Sequence, residues 1–179
     1  MILVTLANGF EEIEALAVVD VLRRAELDVL TVGIGGKSVR GAHGIVVAAD
    51  LDEHEVRDKY LEALVLPGGM PGTLNLEHSD TVQRLIDRAV EQELLIGAIC
   101  AAPSILGHKG LLNGRHATCF PGFEQELDGA ILETTPVVKD GRFITARGAG
   151  VAVDFGLALV AELVSPDEAQ RLRRALQCP

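Results

Sequence analysis

Short apolar runs alternate with longer amphipathic segments along the chain, and this alternation restricts the fold more than any other feature. Short apolar runs are typical of strands buried on both faces, and helical spacing of apolar residues predicts helices that cover a sheet. The predicted strands are Ile2–Leu6, Asp28–Gly33, Ala63–Leu66, Leu95–Ile99 and Arg142–Ala146. The predicted helices are Glu11–Ala25, Asp80–Glu93, Ala101–Leu111, Val151–Val164 and a last helix after Ser165. This order predicts an α/β three-layer sandwich, in which a mainly parallel sheet carries helices on both faces.

Turn residues predict two hairpins between these elements. Asp140-Gly141 is a good hairpin turn between Val137–Val138 and the strand that ends at Ala146. A glycine turn at positions 35 and 36 leads into two short extended pieces, Val39–Gly41 and Ile45–Ala49. Ala117–Phe120 is also predicted to be extended.

Two serines mark predicted helix starts. The Ser79 hydroxyl can accept a hydrogen bond from a free backbone N–H of the helix that follows it. Ser165 precedes Pro166, and Glu168 stands where it would complete a capping box.

Composition limits the class of protein. The 179 residues suffice for one substantial core, and we predict a single domain over residues 1–179. A net charge of −10 repels phosphate backbones, so nucleic acid is not expected as a partner. No charged segment precedes a long apolar one, and no apolar run approaches the ~20 residues of a membrane span, so no membrane partner is expected either. Three scattered cysteines, Cys100, Cys119 and Cys178, predict reduced thiols and a cytoplasmic location.

Cys100 is the candidate nucleophile. It follows the apolar strand Leu95–Ile99 and directly precedes a helix, with Pro103 suited to the first helical turn. Free backbone N–H groups and the positive end of the helix dipole at such a turn favour the thiolate over the thiol. The abrupt turn also predicts a strained backbone, as in the nucleophile elbow of hydrolases. The local sequence is equally compatible with an inert core cysteine.

Glu14 is the candidate acid–base group. Its neighbours at helical spacing, Ala17, Val18, Val21 and Ala25, are apolar, so its carboxyl is predicted to face the interior. Burial disfavours the carboxylate and raises its pKa. A protonated Glu14 would donate a hydrogen bond to a thiolate or act as a general acid. The alternative is a glutamate that only stabilises the helix start through the dipole.

Backbone amides complete the predicted site. Gly68 and Gly69 offer N–H groups with no side chain in the way, and with the Ala101 N–H they would form an oxyanion hole. A tight turn that needs the dihedral range of glycine explains the same pair of residues, and both explanations can hold together.

Four motifs in this order resemble the ThiJ/PfpI superfamily, in particular the branch of the bacterial YajL protein and the parkinsonism-associated protein deglycase. The resemblance covers essentially the whole chain. The motifs are Gly9-Phe10-Glu11-Glu12-Ile13-Glu14, Leu66-Pro67-Gly68-Gly69, Ala98-Ile99-Cys100-Ala101-Ala102-Pro103 and Thr145-Ala146-Arg147-Gly148-Ala149-Gly150.

The resemblance implies a fold, an assembly and a chemistry. It implies a flavodoxin-like sandwich, a homodimer, and an oxidation-sensitive nucleophile matching Cys100 paired with a protonated glutamate matching Glu14. Amides matching Gly69 and Ala101 would face the reacting oxygen. The activities of this branch are cofactor-free glyoxalase and deglycase chemistry, redox-regulated chaperone action and protection against oxidative stress.

Two positions depart from the family pattern. Peptidase members carry histidine directly after the nucleophile, where this chain has Ala101. Some relatives place a histidine near the site where this chain has Phe120, which leaves Glu14 as the main candidate base. His43 aligns with an arginine that relatives place near the pocket, and Arg147 is a candidate for a structural ion pair or for anion binding.

The leading hypothesis is a cysteine-dependent, cofactor-free glyoxalase- or deglycase-type enzyme that acts on methylglyoxal or its early adducts in oxidative and carbonyl stress. The alternative is a redox-sensing chaperone or stress-response protein, in which Cys100 oxidises to a sulfinic acid. A cysteine peptidase is the least favoured hypothesis, because Ala101 supplies no base. The expected partners are a small reactive aldehyde or glycated adduct and a second copy of the chain.

Three other patterns in the sequence do not predict a binding site. Gly35-Gly36-Lys37-Ser38 lacks the first glycine of a phosphate loop, since position 31 is Thr31. Gly148-Ala149-Gly150 lacks the third glycine of a dinucleotide fingerprint, since position 153 is Val153. No metal site is predicted, because four histidines show no metal-ligand spacing with one another or with a cysteine: His54, His78, His108 and His116.

Overall fold

The computed structural model describes residues 1–179, with eleven strands and six α-helices. The strands are β1 (Ile2–Ala7), β2 (Val29–Ile34), β3 (Ser38–Arg40), β4 (Val46–Ala48), β5 (Leu51–Asp52), β6 (Ala63–Leu66), β7 (Leu95–Ile99), β8 (His116–Ala117), β9 (Ile131–Leu132), β10 (Val137–Asp140) and β11 (Phe143–Ala146). The helices are α1 (Glu12–Arg24), α2 (Gly72–Glu77), α3 (Asp80–Glu91), α4 (Pro103–His108), α5 (Ala152–Leu163) and α6 (Pro166–Ala175).

Seven strands form one twisted sheet in the order β10-β11-β7-β6-β1-β2-β5. All neighbours pair parallel except β10 and β11, which form the predicted hairpin across Asp140-Gly141. The predicted hairpin of β3 and β4 is separate from this sheet, as is the small parallel pair of β8 and β9. The prediction of a mainly parallel sheet is therefore confirmed.

Successive residues of the central strands pack alternately into two hydrophobic cores, one on each face of the sheet. In β1, Ile2, Val4 and Leu6 join the core under α1, α5 and α6, whereas Leu3 and Ala7 join the core under α3 and α4. Because side chains alternate across a strand, a continuous apolar run is what a sheet covered on both faces requires. The three-layer arrangement is confirmed. None of the helices is both long and apolar enough to cross a membrane.

Helix starts follow the predicted caps with one correction. The Ser79 hydroxyl accepts from the Val82 N–H at 3.3 Å, and the Ser165 hydroxyl accepts from the Glu168 N–H at 3.1 Å. The capping box at Ser165 is only half formed, because the Glu168 carboxylate pairs with Arg171 instead. Glu11 caps α1 through its own side chain, so the helix begins one residue later than predicted.

Several elements differ from the sequence prediction. The predicted helix Ala101–Leu111 is restricted to α4, because a turn occupies positions 101 and 102 and Gly110 adopts a φ of +70°. Of the predicted extended segment at 117–120, only Ala117 belongs to a strand, β8. The short α2 and the two-residue edge strand β5 were not predicted, because neither is long enough to show a periodic pattern.

Candidate active site

Cys100 occupies a sharp turn at the carboxyl end of β7. Its φ is +65°, a left-handed conformation that is sterically unfavourable for a residue with a side chain. Two backbone hydrogen bonds hold it there. Its N–H donates to the Ala146 carbonyl at 2.9 Å, and its carbonyl accepts from the Phe120 N–H at 2.8 Å. The strained turn predicted from the strand-to-helix junction is therefore confirmed.

Glu14 reaches this turn from the first turn of α1. Its side chain is buried, and Oε2 accepts from the Gly68 N–H at 2.9 Å. A Cβ at position 68 would lie 2.6 Å from Cys100 Cβ and 2.7 Å from Glu14 Oε2. Only glycine at this position lets the thiol and the carboxyl come together, and the two groups interact by hydrogen bonding.

The two acids oppose each other's ionisation. Burial raises the pKa of the Glu14 carboxyl to about 7, despite hydrogen bonds from Cys100 and Gly68 that lower it. Burial, followed by the charge of an ionised Glu14, raises the pKa of the Cys100 thiol to about 12. The predicted elevation of the Glu14 pKa is confirmed. The predicted lowering of the Cys100 pKa is wrong, because burial and the charge of Glu14 outweigh the N–H groups of Gly69 and Ala101.

The pair therefore loses its first proton near pH 7 and carries one negative charge at higher pH. Its protons are lost in steps that belong to both groups together. With the proton on sulfur, the thiol donates to the Glu14 carboxylate; with the proton on Glu14, the carboxyl donates to a thiolate. The N–H groups of Gly69 and Ala101 lower the pKa of Cys100 and so favour the second arrangement.

Two of the three amides predicted for an oxyanion hole act on the nucleophile. The N–H groups of Gly69 and Ala101 interact with the Cys100 sulfur and lower its pKa. Gly68 is a correction, because its N–H already donates to Glu14 and is not free for a substrate oxygen. Gly69 has a φ of +92°, so glycine at this position serves the turn as well as the site.

His43, predicted to lie near the pocket, contacts two glutamates at the start of α1. Its Nδ1 lies 2.9 Å from Glu12 Oε2 and 3.2 Å from Glu11 Oε2. One atom from each of these three residues falls within 4.8 Å of the others, the spacing of a cation site. The Glu12 carboxylate, however, also accepts from the backbone N–H groups of His43 at 2.8 Å and Ile45 at 3.3 Å. These bonds account for the cluster without an ion.

Phe120 and Arg147, which were predicted as pocket residues, line one cavity together with Gly148. Arg147 forms no ion pair, and its Nη1 donates to the Thr134 carbonyl at 3.2 Å. Cys119 is buried next to this loop, and burial raises its pKa to about 11. Cys178, near the carboxyl terminus, is half-buried and distant in sequence from every site loop.

Two contributors to the site were not foreseen from sequence. The carbonyl of Ala146 anchors the Cys100 turn, and a backbone group leaves no trace in sequence. Gly148 is the second, since a Cβ there would lie 3.2 Å from Phe120 Cδ2 and 3.8 Å from Glu14 Oε1.

Known proteins share this architecture. The DJ-1/PfpI family model matches residues 1–162. Protein dj-1beta of Drosophila melanogaster is 34% identical over 177 residues, covering 97% of this chain and 95% of that protein. The glutathione-independent glyoxalase DJR-1.2 of Caenorhabditis elegans is 32% identical over 168 residues, covering 93% and 89%. The crystal structure of a DJ-1 superfamily protein from Salmonella typhimurium gives a TM-score of 0.94 at 34% identity, covering 99% of this chain and 98% of that one. The family model and these near full-length matches show that the chain belongs to the DJ-1/PfpI family and has its flavodoxin-like α/β fold.

Proposed function

We propose that this protein is a cofactor-free glyoxalase that converts small α-oxoaldehydes such as methylglyoxal into hydroxy acids. The observation that carries the proposal is the buried pair, in which a carboxyl with its pKa raised to about 7 interacts with a thiol on a strained turn. A relative that bears the name glutathione-independent glyoxalase supports the same class of activity.

The first step is addition. The proton of the pair moves to Glu14, and the Cys100 thiolate attacks the aldehyde carbon to form a carbon–sulfur bond. The aldehyde oxygen gains negative charge and is stabilised by the N–H groups of Gly69 and Ala101, then takes the proton of Glu14. The product is a hemithioacetal beside a Glu14 carboxylate.

Isomerisation and hydrolysis follow. Glu14 removes the proton from the former aldehyde carbon, giving an enediolate with its charge on the former ketone oxygen. The hydroxyl proton of the sulfur-bearing carbon moves to that oxygen, and Glu14 returns its proton to the former ketone carbon. The product is a thioester of the hydroxy acid beside a Glu14 carboxylate. Water cleaves this thioester, so the balance is methylglyoxal plus water to lactic acid, with the thiol regenerated.

Lactate formation from methylglyoxal by purified protein tests the proposal. Cys100→Ser is expected to lower kcat/KM at least about 10³-fold, because the serine hydroxyl is a far weaker nucleophile. Cys178→Ser is the matched control and should retain full turnover. Equal rates for wild type and Cys100→Ser would overturn the mechanism.

Deglycase action on early adducts is the finer form of this proposal. Thiol and amine adducts of methylglyoxal release the free aldehyde, which would then enter the same reaction. If lactate appears faster than adducts dissociate spontaneously, the enzyme acts on the adduct itself. If the two rates agree, its substrate is the free aldehyde.

A redox role is the second candidate, favoured by the partial exposure of Cys100 and the donors around its sulfur. A thiolate that reduces two molecules of hydrogen peroxide becomes a sulfinate and releases two waters. Gly69, Ala101 and a protonated Glu14 would donate to its oxygens. Mass spectrometry after mild peroxide should show oxidation confined to Cys100, and equal oxidation of Cys119 and Cys178 would contradict this role.

A peptidase is not favoured, because no histidine contacts Cys100 and Ala101 follows it.

A homodimer is proposed from an apolar surface on α1 and the β3–β4 hairpin. Its exposed members are Ile13, Leu16, Ile45 and Val46. Light scattering should give twice the chain mass of 19.0 kDa, and Ile13→Glu should shift it toward one chain.

A further inference from the structure

A cavity beside the Cys100–Glu14 pair has no part in the mechanism above. Its volume is about 410 Å³, within the range that holds ligands much larger than a three-carbon aldehyde. Its walls contain no carboxylate and only one charged group. They are formed by Phe120, Pro121, Pro136, Arg147 and the segment Gly148–Val151.

Gly148 connects this cavity to the reacting groups. A Cβ at position 148 would lie 3.2 Å from the Phe120 ring and 3.8 Å from Glu14 Oε1, so the ring and the carboxyl approach the same glycine. The Phe120 N–H also donates to the Cys100 carbonyl at 2.8 Å, which fixes the backbone of Phe120 against the nucleophile turn. A substrate bound to sulfur would therefore have its substituent near the Phe120 ring.

The Phe120 ring is available for such a contact. It is 47% exposed, although most large apolar side chains of this protein are buried. The cations that lie over aromatic rings cover Tyr60 and Phe143, and none covers Phe120. An exposed ring in a mainly apolar cavity is suited to stacking against a flat substituent.

Arg147 is the one charged side chain of the cavity, and it makes the electrostatic potential there positive. Arg147 forms no ion pair, in a chain where 26 acidic residues outnumber 16 lysines and arginines. Its guanidinium disfavours cationic substituents and tolerates neutral or anionic ones.

We propose that this cavity is a substituent subsite, and that Phe120 makes the enzyme select α-oxoaldehydes that carry an aromatic substituent. The inference rests on the proposed function and names its substrate class. Phenylglyoxal plus water would give mandelic acid by the same addition, isomerisation and hydrolysis. Phe120 acts by contact with the substituent and takes no part in proton transfer.

The kinetic test compares kcat/KM for phenylglyoxal with that for methylglyoxal, from initial rates. Phe120→Ala should lower this ratio about tenfold, the size of a lost aromatic contact. Phe120→Tyr keeps the ring and should keep the ratio. Tyr60→Ala removes an equally exposed ring at the amino end of β1 and is the matched control. An unchanged ratio in Phe120→Ala overturns the proposal.

Product binding tests the subsite without turnover. In the Cys100→Ser protein, calorimetry should show that mandelate binds at least about tenfold more tightly than lactate, and that adding Phe120→Ala removes the difference. Equal binding of mandelate and lactate overturns the subsite whatever the enzyme does. If neither aldehyde is turned over but mandelate is preferred, the proposed reaction fails and the aromatic subsite stands.

Discussion

Glu12 and Glu14 lie two residues apart on the first turn of α1, both expose little surface to solvent, and have pKa values shifted in opposite directions. Burial opposes ionisation of both. Glu12 overcomes it by accepting hydrogen bonds from the His43 ring and from backbone N–H groups at positions 43 and 45, so its pKa is lowered. Glu14 has one backbone donor, Gly68, and faces an acid, Cys100. For Glu12 the hydrogen-bond donors outweigh burial, whereas for Glu14 burial outweighs the donors, so only the pKa of Glu14 is raised.

The largest expected effect separates the two glutamates by activity. Glu14→Gln should lower methylglyoxal turnover at least about 10²-fold, because an amide neither removes nor returns a proton. Glu12→Gln should keep turnover and lower the free energy of unfolding by about 1–2 kcal/mol, through weaker hydrogen bonds to an uncharged acceptor. Lactate assays and urea unfolding measure these outcomes. Comparable activity losses in both variants would contradict the assignment of proton transfer to Glu14 alone.

The next largest effect is on the pH dependence of stability, which should differ in sign between Glu14 and Glu12. Between its ordinary pKa of 4.5 and its folded value of about 7, Glu14 binds more protons folded than unfolded, so its contribution to stability falls as pH rises. The stability of wild type relative to Glu14→Gln should therefore fall by roughly 3 kcal/mol across this window. Glu12, with its lowered pKa, should show the opposite sign, its contribution growing as pH rises toward 4.5. Urea unfolding at a series of pH values tests both, and slopes of equal sign would contradict the assignment.

Each of the two glutamates packs closely against a different glycine. A Cβ at position 68 would press on Glu14 Oε2 and Cys100, whereas one at position 41 would press on the Glu12 carboxylate. Gly68→Ala and Gly41→Ala should each destabilise the fold by about 1–3 kcal/mol through overpacking. Only Gly68→Ala should lower turnover by more than tenfold, because only that substitution parts the carboxyl from the thiol. Circular dichroism melts and lactate assays distinguish the two, and a fully active Gly68→Ala protein would show that the pair need not be in contact.

Sequence reasoning found Glu14 but did not distinguish it from Glu12 by partner. Apolar neighbours at helical spacing predicted that Glu14 points inward, and the strand-to-helix junction predicted the turn at Cys100. The partners of Glu12 lie on the β3–β4 hairpin, more than thirty positions away, and no local pattern specifies which loop folds over a helix start. The same limit explains why the contact between His43 and Glu12 was not predicted.

The parts of the fold that were predicted are those whose cause is local. β1 and β7 follow from apolar runs, and the starts of α3 and α6 follow from their serine caps. α2 contains glycine, threonine and asparagine in six residues, so its helical state comes from its place after the Gly69 turn and not from propensity. Gly68 illustrates the limit at the site, since its missing side chain was evident while the recipient of its N–H was not.

The smallest expected effect tests whether the His43 ring matters to Glu12. The interaction with Glu12, and then the charges of Glu11 and Glu12, raise the pKa of His43. Its contribution to stability is therefore complete below pH 6.5 and is lost as pH rises through the folded pKa. His43→Gln should melt at a slightly lower temperature than wild type at pH 6 and at nearly the same temperature at pH 9, with unchanged methylglyoxal turnover. A difference in melting temperature that persists at pH 9 would mean that the two backbone donors depend on the ring for their positions, and that Glu12 is held by the hairpin as a unit.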